Sequence, residues 1–165
     1  MYTELHWIDG YWPGRLSVSA RPRGGDWLEE ELAHWRASGV DEVISLLEPE
    51  EAERLDLRDE ESVAMGVGMQ FRSFPIVDRS VPASRRETLR LIDQLSAVLS
   101  SGKNISIHCR QGIGRTGLVA ASLLVNRGLS PGGAFDIISQ ARGIAVPETD
   151  EQREWVALLG AGLSV

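Results

Sequence analysis

One stretch limits the folds open to this chain more than any other: Ile105-Ser-Ile-His-Cys-Arg-Gln-Gly-Ile-Gly-Arg-Thr-Gly117. A β-type run, Ile105 to His108, enters a loop carrying Gly112 and Gly114, and the apolar run from Leu118 to Val125 reads as a buried helix. A loop that feeds a helix N-terminus aims several free backbone N–H groups at one spot, beside the positive end of the helix dipole. That is an anion site, and the glycines let its backbone curl with N–H groups facing inward. Cys109, the only cysteine of the chain, opens the loop and Arg115 closes it. A thiolate is the reactive form of sulfur, and helix N-termini and neighbouring cations favour it. A guanidinium fork holds two phosphate oxygens at once. Together the residues predict a loop that seats a phosphoryl dianion in front of Cys109.

The same letters admit other readings. Gly112-Ile-Gly-Arg-Thr-Gly117 is literally G-x-G-x-x-G between a strand and a helix, as in dinucleotide-binding folds. That reading needs an acid at the end of a second strand roughly 20 residues on. Asp136 has the spacing, but it follows Ser130-Pro-Gly-Gly133, which reads as a helix start. A third reading is an anion-binding turn with a buried, inert cysteine.

Around this loop the chain alternates strands and helices. Leu5 to Gly14 reads as an extended edge element, and Arg15 to Ser19 as a second short strand. Asp26, with Glu29 three residues on, predicts a capped helix running to Ser38, with Leu28, Leu32 and Trp35 on one face. Asp41 to Leu47 gives a strand in which Val43, Ile44, Leu46 and Leu47 are nearly continuous, as for one covered on both faces. Glu48-Pro-Glu-Glu51 starts a short helix, Glu60 to Met65 gives a further helical turn, and Met69 to Ile76 is a strand. Ser84 caps a helix from Arg85 to Leu99 with the stripe Leu91, Ile92, Leu95, Val98 and Leu99. Helices over 132–140 and 148–159 follow. The expected fold is α/β, a largely parallel sheet with helices on both faces, in one domain over 1–165. Ligands of such sheets sit outside the carboxyl ends of the strands. Cys109 lies there, and so does the loop after the Met69–Ile76 strand.

Charge and composition narrow the function. The net charge of −7 argues against nucleic acid as a partner. No apolar run reaches the length of a membrane span, and Met1 to Gly14 lacks the basic-then-apolar pattern of a signal peptide. One cysteine allows no internal disulfide, which suits a reducing, cytoplasmic setting. Of the 17 basic residues only Lys103 is a lysine. Arg21, Arg23, Arg79, Arg110, Arg115 and Arg142 fall near the loop and are expected to make a locally positive cleft in an acidic protein.

His108-Cys109-x5-Arg115-Thr116 resembles the signature loop of the cysteine-dependent protein tyrosine phosphatase superfamily, in its compact dual-specificity form. The resemblance implies that Cys109 is the nucleophile, that Arg115 binds phosphate, and that Thr116 helps to release the thiolate from a phosphocysteine intermediate. Backbone N–H groups from Arg110, Gln111, Gly112, Ile113, Gly114 and Arg115 would hold the phosphoryl oxygens, with His108 steadying the loop. No metal or cofactor is implied. Phe74-Pro-Ile-Val-Asp-Arg-Ser-Val-Pro82 resembles the general-acid loop of small dual-specificity phosphatases, including the cyclin-dependent-kinase-associated type. That makes Asp78 the acid, although an aspartate before a polar turn is also an ordinary turn former. Thr149-Asp-Glu-Gln152 resembles in part the glutamine-bearing segment that places the hydrolytic water, with Glu148 where the family pattern has its first glutamine. Gln152 is either that water-positioning residue or a surface residue of a helix.

Two relatives of the loop fit less well. Low-molecular-weight phosphatases carry their acid downstream of the loop, whereas Asp78 is upstream. Phosphoinositide 3-phosphatases often place lysines inside the loop, where this chain has Arg110, Gln111, Ile113 and Gly114. The expected substrate is a phosphorylated protein or peptide carrying phosphotyrosine, with phosphoserine and phosphothreonine open. The alternative from another class is a phosphate-binding module without turnover.

Overall fold

The computed structural model describes residues 1–161; positions 162–165 lie outside the described residues. The chain forms β1 (His6–Ile8), β2 (Leu16–Ser19), α1 (Leu28–Ala37), β3 (Glu42–Ser45), α2 (Pro49–Arg54), α3 (Glu60–Gly66) and β4 (Gln70–Ser73). There follow α4 (Arg85–Ser100), β5 (Ile105–His108), α5 (Gly114–Asn126), α6 (Pro131–Arg142) and α7 (Asp150–Gly160). The five strands make one sheet in the order β1-β2-β5-β3-β4. Only β1 runs antiparallel to its neighbour; β2, β5, β3 and β4 are parallel. The expected largely parallel α/β sheet is the observed one.

The strand that precedes the signature loop is the middle strand. Ile105 is level with Leu16 on one side and Glu42 on the other, and His108 with Ser19 and Ser45. Side chains alternate across a sheet, so Ile105 and Ile107 face one way and Ser106 and His108 the other. Ile105 and Ile107 join Leu16, Val18, Ile44 and Leu46 in a core built with α4, α5, α6 and α7. On the opposite face α1 and α3 cover Val43, Leu47 and Met69 with Leu28, Leu32, Trp35 and Ala64. Helix α5 packs on β2 and β5 with α4, α6 and α7 around it. Every residue from Gly114 to Leu124 is buried, which accounts for the unbroken apolar run. Among the described residues no helix is long and apolar enough to cross a membrane.

Two local expectations change. Asp26 does not cap α1: residues Gly25–Trp27 form a 3-10 turn, and α1 starts at Leu28 with no side-chain cap hydrogen bond. The turn is drawn in by the adjacent chain, because the Gly25 N–H donates to the Asp56 carbonyl at 2.9 Å. Helix α5 begins at Gly114 rather than Leu118, so Arg115 and Thr116 stand on its first turn. Asp136, the acid a dinucleotide fold would need at a strand end, is an exposed residue of α6; the dinucleotide reading is excluded.

The stripe of α4 tests this packing. Leu95 is fully buried and Met65 of α3 is 56% exposed. Leu95→Ala is expected to cost about 2–5 kcal/mol in urea unfolding, and Met65→Ala no more than about 0.5 kcal/mol.

Candidate active site

The carboxyl ends of β5, β3 and β4 converge. Beyond Ser45 the chain keeps pairing: the Leu46 N–H donates to the His108 carbonyl at 2.9 Å, and the Ile76 N–H to the Leu46 carbonyl at 3.0 Å. This brings the ends of all three strands together in front of α5. A cleft of about 220 Å³ opens there, lined by Asp78, Arg79, Cys109, Arg110, Gln111, Arg115 and Glu148. Cys109 lies at its floor, 3% exposed.

The loop around the cleft is set by its carbonyls. The Cys109 carbonyl lies 3.2 Å from His108 Nδ1. The Arg110 carbonyl accepts from the Arg21 N–H at 3.2 Å, and the Gln111 carbonyl from Arg142 Nη2 at 2.8 Å. In a trans peptide the N–H points opposite to the C=O. The N–H groups of Arg110, Gln111 and Gly112 therefore turn away from these partners, toward the inside of the loop. Gly112 has φ +72°, and a Cβ there would run into the Ser19 carbonyl at the end of β2. At Gly114 a Cβ would stand 2.6 Å from Glu148 Oε1 and 3.0 Å from the Gln152 carboxamide. Ile113 precedes α5 and is half-buried. The first N–H groups of α5 lack helical acceptors by position, and they complete the cradle.

Arg115 is 1% exposed, and both terminal nitrogens of its guanidinium are engaged. Nη1 donates to Glu51 Oε1 at 2.8 Å and Nη2 to Glu51 Oε2 at 2.9 Å, a two-pronged pair. Nη1 also donates to the Ile76 carbonyl at 3.0 Å, and Nη2 to Asp78 Oδ1 at 3.1 Å. Burial by itself disfavours the charged guanidinium. The Glu51 hydrogen bonds, then the negative fields of Cys109, Glu51 and Asp78, overcome that and hold its pKa above the ordinary value. Glu51 answers in kind. Burial pushes its carboxyl up, but the hydrogen bonds and charge of Arg115, the Glu48 N–H and the charge of Arg110 bring it below the ordinary range. Arg110 stands 3.3 Å from Glu51 Oε2, so one carboxylate faces two arginines.

Asp78 sits on the loop after β4 with its side chain 45% exposed. It shares the cleft with Cys109 through Arg115. Thr116 is fully buried, and its hydroxyl has no hydrogen-bond partner among the described residues. Buried hydroxyls are seldom left unmatched; this one stands one residue after Arg115, on the first turn of α5. His108 is buried against Trp35, and its Nε2 lies 2.7 Å from Glu60 Oε2. Gln152 is fully buried, which removes the surface-residue reading. Its Oε1 accepts from the Glu148 and Thr149 N–H groups at 3.1 and 3.2 Å, and its Nε2 donates to the Ser80 carbonyl at 3.0 Å.

The partners of three carboxylates here escaped the sequence reading: Glu51 with Arg115, Glu60 with His108 and Glu148 with Arg79. A buried arginine demands an anion, but nothing in the local pattern selects which of 24 acidic residues supplies it. Among the described residues no three His, Cys, Asp or Glu side chains are grouped to hold a metal ion.

A family model described as a polymorphic toxin system DSP-PTPase phosphatase matches residues 19–129, from the end of β2 to just beyond α5. Cyclin-dependent kinase inhibitor 3 of Rattus norvegicus is 24% identical over 131 residues, which cover 78% of this chain and 61% of that protein. A relative from Invertebrate iridescent virus 6 is 38% identical over 58 residues, covering 33% of this chain and 22% of its own length. The chain thus spans less than two thirds of these curated relatives. Among solved structures, kinase associated phosphatase with its catalytic cysteine changed to serine superposes with a TM-score of 0.89 at 18% identity, covering 98% of this chain and 96% of that one. Tk-PTP in its active form gives 0.78 at 29% identity, covering 96% and 97%.

The Arg115–Glu51 pair makes acid sensitivity testable. The folded pKa of Glu51 is depressed. Its stabilisation is therefore complete above the unfolded carboxylate value, about 4.3, and is lost as pH falls through the lower folded value. Glu51→Gln should be about 3 kcal/mol less stable near neutral pH, as when one member of a buried pair is removed. That difference, followed by chemical denaturation, should shrink below about pH 4.

Proposed function

The chain belongs to this family of DSP-PTPase phosphatases, and on that premise we propose that it hydrolyses phosphotyrosine in a protein or peptide through a phosphocysteine intermediate. The observation that carries the reading is the convergence of Cys109, Arg115 and Asp78 on one cleft, with the Asp78 carboxylate 3.1 Å from Arg115 Nη2.

The substrate phosphate enters the cradle of N–H groups from Arg110, Gln111, Gly112, Ile113, Gly114 and Arg115. The Arg115 guanidinium meets two equatorial oxygens on the edge away from Glu51, with Nε and with the Nη2 hydrogen that Asp78 otherwise accepts. The Cys109 thiolate attacks phosphorus in line, forming the S–P bond as the P–O bond to tyrosine breaks. An oxyanion leaves poorly without a proton, and Asp78 gives its proton to the phenolic oxygen. The same carboxylate then takes a proton from water as that water attacks phosphorus. The S–P bond breaks, inorganic phosphate leaves, and the Thr116 hydroxyl donates to the returning thiolate. His108, held by Glu60, fixes the Cys109 carbonyl. The reading takes residues 1–165 as one domain and needs no metal ion or cofactor. Gln152 acts through its hold on Ser80, in the loop that follows Asp78. A phosphate-binding module without turnover would have no use for a carboxylate in this place.

Cys109→Ser should abolish turnover, measured with chelator present, while inorganic phosphate still binds. Residual activity above a few per cent of the wild type would overturn the covalent route. Losing a general acid costs about 10²–10⁴-fold, mainly on poor leaving groups. Asp78→Ala should therefore lose kcat severely on a phosphotyrosine peptide and only mildly on an activated aryl phosphate, with KM little changed. Equal fractional losses on the two substrates would remove Asp78 from the chemistry.

A further inference from the structure

Asp78 needs holding. A carboxyl group that delivers a proton must stay within hydrogen-bond reach of one oxygen, yet its loop is exposed: Val77 is 56% exposed, and the loop closes on itself through the Ser80 N–H to Val77 carbonyl bond at 3.0 Å. Such loops are ordinarily mobile. This one is bound on both sides of Asp78. Before it, the Ile76 carbonyl accepts from Arg115. After it, Arg79 Nη1 lies 2.9 Å from Glu148 Oε2, and the Ser80 carbonyl accepts from Gln152 Nε2. Arg79 has φ +61°, a left-handed conformation that a non-glycine residue keeps where its surroundings over-determine it.

The other half of the attachment is itself fixed. Thr149 and Gln152 form a reciprocal cap at the start of α7. The cap uses both acceptor positions of Gln152 Oε1, on the Glu148 and Thr149 N–H groups, and leaves Nε2 for Ser80. Glu148 Oε1 stands against Gly114, where a Cβ would be 2.6 Å away, so its Oε2 is left for Arg79. Two consecutive residues after the acid thus attach to one helix start, and that helix start rests on the first residue of α5.

We propose that Arg79 and Glu148 are positioning residues: their ion pair, with the Gln152–Ser80 hydrogen bond beside it, clasps the Asp78 loop to the head of α7 and keeps the acid over Cys109 before substrate arrives. The proposal rests on the phosphatase reading above. It also sets Arg79 apart from the phosphate-binding arginines, since its charge is spent on Glu148 in spite of a side chain 63% exposed.

The test measures kcat and KM for Arg79→Ala, Glu148→Ala and the double variant, on a phosphotyrosine peptide and on p-nitrophenyl phosphate. Exposed ion pairs shift equilibria by up to about fivefold. Each single variant should lose about two- to fivefold in kcat on the peptide and little on the activated ester, with KM unchanged. The double variant should be no worse than either single one, and the exchanged pair Arg79→Glu/Glu148→Arg should regain part of the loss. Amide hydrogen exchange over residues 77–81 should quicken in both single variants. A raised KM for the peptide at constant kcat would make Arg79 a substrate contact and overturn the clasp. So would equal losses on both substrates, multiplying losses in the double variant, or unchanged exchange in the loop. Failure of the wild type to hydrolyse either ester would overturn the phosphatase reading instead, while the exchange data would still judge the clasp.

Discussion

A positive charge buried at the meeting point of three strand ends governs the rest of this structure. Arg115 is nearly inaccessible, and a guanidinium in that position is tolerable only with its hydrogen-bonding edge satisfied. Glu51 takes two of its donors, which requires α2 to start where it does, directly after β3. The Ile76 carbonyl takes another, which requires the chain beyond β4 to continue along Leu46. Asp78 takes the face that looks into the cleft. Helix, strand ends and the Asp78 loop are therefore arranged around one side chain. Glu51 also has a second duty, since it closes the cap of α2 with Glu48. Its carboxylate joins the folding of a short helix to the charge of the anion site.

The β5–loop–α5 unit was legible because it is local. A strand, two glycines and a helix start are contiguous, and their backbone demands appear directly as residue types. The alternation of β5 was legible too: Ile105 and Ile107 face one core, and Ser106 and His108 the other. What escaped was the ion pairing carried by distance. Glu51, Glu60 and Glu148 reach Arg115, His108 and Arg79 across sequence gaps of 64, 48 and 69 residues, and surface glutamates look the same in the chain. The helix at Asp26 was misread for a related reason. Its local capping pattern is sound, but the Gly25 N–H is taken by Asp56 from another segment, and the turn follows that tertiary bond.

The electrostatics rest almost wholly on arginine, 16 residues against a single lysine in a chain of net charge −7. Around the cleft those arginines are not a loose positive field. Arg21 and Arg142 hold carbonyls of the loop, Arg110 and Arg115 share Glu51, and Arg79 is paired with Glu148. Planar forks are suited to such fixed duties in a way that a flexible ammonium is not. An acidic surface and an anion-seeking centre coexist because nearly every cation near the centre has a named partner.

The outward-tied carbonyls of the loop have a consequence for the order in which the molecule comes into being. Arg21 precedes the loop in the chain, whereas Arg142, Glu148 and Gln152 follow Cys109 by 33, 39 and 43 positions. A chain made from its N-terminus contains Cys109 and Arg115 before it contains the residues that orient the Gln111 peptide and hold the Asp78 loop. A nascent or truncated chain ending near Asn126 would hold Cys109 and Arg115 with the enclosure unfinished. The enclosure of the cleft is thus completed by α6 and α7, which bring the last of the contacts that hold it.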